Sequence, residues 1–134
     1  MATPKTLPKW TESAISTNDL STTGQFLAVK LSGDRTVVLM AADTDVPYGV
    51  LQNDPAAAQQ AVVMKEGKCP VIAAETLTAG NQIRFDSNGK AAIFAPLTDT
   101  TAYGVGLCTI GAAASAVAEI EFNCTNPVLG NPVS

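Results

Sequence analysis

From Gln25 onward the apolar residues of this chain recur at every second position, the spacing that sends successive side chains to opposite faces of a sheet and that no helix carries. Phe26 to Leu31 sets Leu27, Val29 and Leu31 on one face; Ser32-Gly33-Asp34 supplies turn residues, and Thr36 to Met40 resumes with β-branched side chains, which predicts a hairpin. Asn81 to Phe85 alternates again before Ser87-Asn88-Gly89, whose Asn-Gly dipeptide signals a tight hairpin turn. In Ala118 to Cys124 the residues Ala118, Ile120, Phe122 and Cys124 face one way and Glu119, Glu121 and Asn123 the other, the pattern of a half-exposed strand. The expected fold class is all-β.

The ends read differently. Met1 to Gly24 contains Pro4 and Pro8, is rich in Thr and Ser, and has only Leu7, Trp10, Ile15 and Leu20 as sizeable apolar groups, so residues 1–24 are expected to form an extended N-terminal arm. A large aromatic in such an arm favours docking, because leaving it in water forgoes its burial energy; Trp10 and Ile15 are therefore the candidate docking residues. Residues 25–124 form the expected β domain. Residues 125–134 carry Pro127, Gly130 and Pro132, which neither a central strand nor a helix accommodates.

Within the β domain there is an internal echo. Tyr48-Gly49-Val50 recurs as Tyr103-Gly104-Val105, each after a Thr/Asp cluster, and the turns at Ser32-Gly33-Asp34 and Ser87-Asn88-Gly89 correspond. Each half reads as hairpin, Tyr-Gly-Val strand, Ala-rich connection, strand. Two such halves close most simply as a small barrel or a pair of packed sheets, which removes exposed edges.

Composition narrows function. At 134 residues a single core is expected. Only 15% of residues are charged, so Thr, Ser, Asn, Gln and Ala must cover much of the surface, which suits packing against protein. The net charge of −4, with eight scattered Lys and Arg, offers no basic stripe for consecutive phosphates, so no nucleic-acid partner is expected. Nothing approaches the run of about 20 apolar residues that a spanning helix needs, and residues 1–20 lack a signal-peptide core; a soluble chain made in the cytoplasm, without a membrane partner, is expected.

Candidate chemistry is sparse. The absence of His removes the commonest general base and metal ligand near neutral pH. Cys124 lies on an apolar strand face and Cys108 follows Gly106-Leu107 without a nearby charge, the setting of buried structural thiols rather than nucleophiles. Cys69, beside Lys65, Glu66, Gly67 and Lys68, is expected in an exposed turn and is the candidate for a disulfide between subunits. Asp43, Asp45 and Asp54 lack EF-hand spacing and read as turn chemistry. Gly104-Val105-Gly106 lacks the third glycine of a nucleotide loop. Val63-Met64-Lys65 resembles the Met-Lys tip of biotin-carrier domains, but Glu66-Gly67 stands where that family has a second Met. No enzyme activity, metal or cofactor is expected.

The stretch Tyr48-Gly49-Val50-Leu51-Gln52-Asn53-Asp54-Pro55-Ala56-Ala57-Ala58-Gln59-Gln60-Ala61 resembles the G-V-L-Q-N-x-P-A-A-G-x-x-A block of the small capsid decoration, or cement, proteins of tailed bacteriophages, with Ala58 where a glycine is usual. In the same order as in that family follow a segment near Val71 to Ala73, Leu77-Thr78-Ala79-Gly80-Asn81-Gln82-Ile83, the Ser87 to Ala91 turn, Gly104-Val105-Gly106 and the closing strand Ala118 to Phe122. The resemblance spans about residues 25–123. It implies a β-tulip or β-barrel fold, a homotrimer, binding to the major capsid protein on the outer surface of the virion, and stabilisation of the expanded head; Trp10 and Ile15 of the arm would then be capsid-binding. The alternative is a head or tail appendage that binds host-surface glycans, for which one Trp, two Tyr and four Phe are a meagre supply of stacking surface.

Overall fold

A computed structural model describes residues 3–99, 101–125 and 127–129. Among these residues every regular element is a strand, and all ten belong to one sheet. The expected all-β class holds. The hairpins stand where alternation placed them: β2 (Ala28–Gly33) pairs with β3 (Thr36–Leu39), and β6 (Gln82–Phe85) with β7 (Ala91–Ile93). Between the hairpins and after them run β4 (Gly49–Leu51), β5 (Gln60–Ile72), β8 (Tyr103–Ile110) and β9 (Val117–Asn123).

The segment expected as a free arm contains a ten-residue strand, β1 (Leu7–Ser16), which pairs antiparallel with β5 from Leu7↔Lys68 to Ile15↔Gln60 and parallel with β3 at Ile15↔Thr36 and Ser16↔Val37. Its alternation is hidden in the sequence because bulges at Trp10 shift the register and because much of the strand faces water on both sides. In the expected tail, Val128–Leu129 form β10, which continues along β8 at Gly104 and Tyr103. The rest of that tail, Gly130 to Ser134, lies outside the described residues, as do Met1, Ala2, Thr100 and Asn126.

The two halves follow one plan. In the first, β1 lies parallel to β3, followed by β2, β4 and β5, and β5 returns to β1. In the second, the end of β5 takes the place of β1: Ala73 bridges Ala91 in parallel, and β7, β6, β8 and β9 follow, with β9 returning to β5. Each half thus curls back on its first strand, and β5 serves both; the sheet as a whole rings round only in part and is not one closed barrel.

Individual bonds repeat with the plan. Ser16 donates its amide to the Gln59 carbonyl at 2.9 Å and Ala73 to Ala116 at 2.9 Å; Ala58 donates to Ser16 at 2.8 Å and Ser115 to Ala73 at 2.8 Å; Leu20 donates to Pro55 and Leu77 to Ala112, both at 2.8 Å. The ion pair Lys30–Asp45 at 3.0 Å has its counterpart in Arg84–Asp99 at 3.6 Å. Ala58 and Ser115 both have positive φ, as do Arg35 and Gly89. The Tyr-Gly-Val triplets are not themselves equivalent, however. Gly49 lies against the Met64 carbonyl and Gly106 against the Glu121 carbonyl, so Gly106 is the counterpart of Gly49, and extra residues after Asp99 displace the sequence echo.

One core belongs to the first half, with Ala14, Leu20, Val29, Val37, Leu51, Ala61 and Val63. The larger one fills the second half and joins it to the first, uniting Ile83, Phe85, Ala118 and Ile120 with Ala28, Met40, Val50 and Met64. The Tyr48–Ala61 block is structural. Leu51 is fully buried, the Asn53 side chain donates to the Gln60 carbonyl and accepts from the Val62 amide, and Ala58 makes the left-handed turn into β5.

Candidate interaction surface

β1 carries the candidate docking residues on a ladder paired with β5. Trp10 is 47% and Ile15 43% exposed, at separate places along the strand, with Leu7 exposed at its start. From Leu7 to Ala14 the strand has β5 as its hydrogen-bonded neighbour, and β3 joins at Ile15. Along that stretch no other strand among the described residues pairs with the second edge, whose backbone donors and acceptors point outward. The Trp10 indole N–H donates to Glu12 Oε1 at 2.6 Å, and Lys9 Nζ pairs with Glu66 Oε2 at 3.2 Å.

Behind Trp10 lies a cluster the sequence did not announce. Lys65, on β5, is nearly buried; its ammonium sits 3.6 Å from the Tyr48 ring centroid and 5.9 Å from that of Trp10, and donates to the Tyr48 carbonyl at 3.1 Å. Burial pushes its pKa down, against the nearby Cys124 and Glu12, while the aromatic faces stabilise the cation. Lys65 is thus a mid-strand side chain enclosed by aromatics, not the tip of a hairpin, and the likeness to a biotin-carrier lysine ends there.

Cys69 is also placed differently from expectation. It lies inside β5, opposite Ile120 of β9, with no exposed surface. The turn foreseen at Gly67 is absent because Gly67 takes a φ of +137° inside the strand, against the Leu7 carbonyl of β1. Burial pushes the Cys69 thiol up to about 12, and Cys124 likewise to about 12; Cys108 is raised for the same reason. Near neutral pH these groups are protonated thiols packed in the core, without the thiolate that disulfide exchange requires.

The aspartates do separate work. Asp45 accepts the Ala41 and Ala42 amides at 2.9 Å and the Lys30 ammonium; the Ala41 bond leads in holding its carboxyl below the usual range. Asp43 reaches Arg84 at 3.7 Å, and Asp54 is exposed. No group of three or more His, Cys, Asp or Glu able to hold a metal occurs among the described residues. Gly104-Val105-Gly106 lies in β8, where Gly106 allows close approach of β9. Glu119, expected at the surface, is 3% exposed. It accepts the Thr109 hydroxyl at 2.6 Å and the Lys5 amide at 2.7 Å, with Lys68 at 3.8 Å. Burial works to raise this carboxyl, but those partners outweigh it and hold the pKa below the ordinary glutamate value. Glu119 thereby ties the segment before β1 to β9. What this surface offers is exposed apolar side chains, at Leu7, Trp10 and Ile15, beside an outward strand edge.

No protein-family model matches the chain, and no curated protein matches it in sequence. Among solved structures its fold is similar to that of the head fiber gp8.5 N base in bacteriophage phi29, with a TM-score of 0.64 and 15% sequence identity, over 86% of this chain and 94% of the other. At that identity the likeness is one of fold.

Proposed function

We propose that the protein is a noncatalytic structural component of a phage head, a decoration protein that binds the major capsid protein as a homotrimer on the outer surface of the virion and stabilises the expanded shell. The observation that carries this reading is the similarity of fold to the head fiber gp8.5 N base; the decoration-protein resemblance of the Tyr48–Ala61 block adds the capsid lattice. The β1 surface supports it physically. An open strand edge offers main-chain hydrogen bonds to a partner strand, and Trp10 and Ile15, both exposed, can fill pockets beside it. Several such patches on one oligomer, engaging neighbouring capsomers together, hold through effective concentration rather than through one tight contact.

The test is to add purified protein to expanded capsids that lack it, and to measure occupancy and the temperature at which the shells release DNA. Binding with a raised release temperature is expected, and Trp10→Ala should weaken binding about five- to thirtyfold, the loss of an aromatic contact of about 1–2 kcal/mol. Shells that neither bind the protein nor gain stability overturn the reading. The glycan-binding alternative has one specific observation, the exposed Trp10, but the neighbouring Tyr48 ring is already covered by Lys65. Selective retention on a glycan array without capsid binding would favour it.

A further inference from the structure

The repeat places a used contact inside the chain beside an unused version of the same contact on its surface. In the first half, Ala28, Val50 and Met64 are cross-strand neighbours on the outer face of the sheet, all fully buried, with Met40 beside them. What buries them is the second half: they share one core with Phe85, and the β6–β7 turn presses on them so closely that Ala28 donates its amide to the Gly89 carbonyl at 2.8 Å. The corresponding row in the second half is Gln82, Leu107 and Glu121, again cross-strand neighbours. Here Gln82 and Glu121 are exposed and Leu107 is 42% exposed. A concavity of about 370 Å³ lined by Gln82, Phe94, Pro96 and Val128 adjoins this face.

The turn shows the converse. The counterpart of the β6–β7 turn is the β2–β3 turn, in which Arg35 takes the left-handed place of Gly89 and Leu31 the place of Phe85. Phe85 is 2% exposed, whereas Leu31 is 51% exposed. Among the described residues each copy therefore ends in one uncovered turn and one uncovered outer face, the two members of a pair that its own halves have already joined once.

We infer that these surfaces join one copy of the chain to the next, head to tail: the Leu31–Arg35 turn of one copy on the Gln82–Leu107–Glu121 face of its neighbour. Charge fits the pairing. Arg35 and Glu121 are exposed, of opposite sign, and engaged in no ion pair among the described residues. The contact is looser than the internal one, because a Cβ at Gly89 would meet the Ala28 carbonyl oxygen at 2.7 Å, and Arg35 has that Cβ. Its guanidinium fills the added distance and reaches a carboxylate where the first half has Met64. A head-to-tail contact is heterologous and closes into a ring when its rotation divides the circle; that the ring holds three copies rests on the homotrimer reading above.

The experiment is native mass spectrometry and light scattering of the full chain over a range of concentrations, with Arg35→Glu, Glu121→Arg, the double exchange and Leu31→Asp, each checked for folding by circular dichroism. The exchanged side chains are exposed, so the fold should persist. A cyclic oligomer is expected for the natural chain, at least tenfold weaker association for each single variant, and recovery in the double exchange. An oligomer indifferent to all four variants, or a two-fold dimer, overturns the interface and leaves capsid binding standing. A chain that stays monomeric at every concentration overturns both the interface and the homotrimer. A ring assembled through these surfaces that fails to bind expanded shells overturns the decoration reading alone.

Discussion

At Ala58 the backbone has a φ of +66°, a conformation that costs an L-residue about 1–2 kcal/mol and glycine almost nothing. Ala58→Gly should stabilise the protein by about 0.5 kcal/mol, the strain relieved less the extra entropy of an unfolded glycine, read as a higher urea midpoint at unchanged slope. Glu119 sets a pH dependence. Its folded pKa is depressed, so its contribution is complete above the unfolded value of about 4.3 and is lost as pH falls through the folded one. Glu119→Gln should therefore be less stable than the natural chain at pH 7, with the gap closing below about pH 4. The thiols of Cys69, Cys108 and Cys124 are buried with raised pKa values. A thiol reagent at pH 8 should label none of them in the folded protein within minutes and all of them in denaturant, and a non-reducing gel of the native protein should show no subunit ladder.

Elements were legible in the sequence in proportion to how cleanly one face is buried. β6 shows this best, with Ile83 and Phe85 buried and Gln82 exposed, and its turn into β7 carries Asn88 and Gly89; in β2 the alternation of Leu27, Val29 and Leu31 locates the strand but not its burial, because Ala28 on the other face is covered by the second half while Leu31 is 51% exposed. β1 escaped notice because its first residues are wet on both faces and its register slips at Trp10. β5 was obscured by Glu66-Gly67-Lys68 and Pro70, which look like a turn until β1 and β9 are present to pair with them on either side. That missing partner also misplaced Cys69. Trp10 and Ile15 stand out in the sequence as large apolar groups in a polar stretch, and the structure leaves both exposed on β1, but the Lys65–Tyr48 stack depends on long-range pairing that local sequence does not encode. Two glycines let neighbouring strands approach closely at matching places in the two halves: a Cβ on Gly49 would collide with the Met64 carbonyl oxygen, and one on Gly106 with that of Glu121. Backbone cannot yield there as a side chain would. Gly49→Ala and Gly106→Ala should each cost on the order of 3 kcal/mol, with faster amide exchange along β4–β5 in the first case and β8–β9 in the second.

For the molecule as a whole, the shared strand and the core that crosses between the halves make it one cooperative unit despite its repeat. Calorimetry should give a single transition whose calorimetric and van't Hoff enthalpies agree; two resolved transitions would show that the halves melt separately. β5 has a wider consequence. Because the last strand of one half is the first strand of the next, the repeating piece is not a closed module that could be copied whole and set beside the original. A third half grafted after β9 would need only the three strands equivalent to β6, β7 and β8 and a new closing strand, since β9 would already supply its opening one. Growth of such a chain by tandem duplication proceeds like extension of a ribbon, with breakpoints inside strands rather than in linkers, and proteins of this plan are expected to differ in length by whole increments of that ribbon.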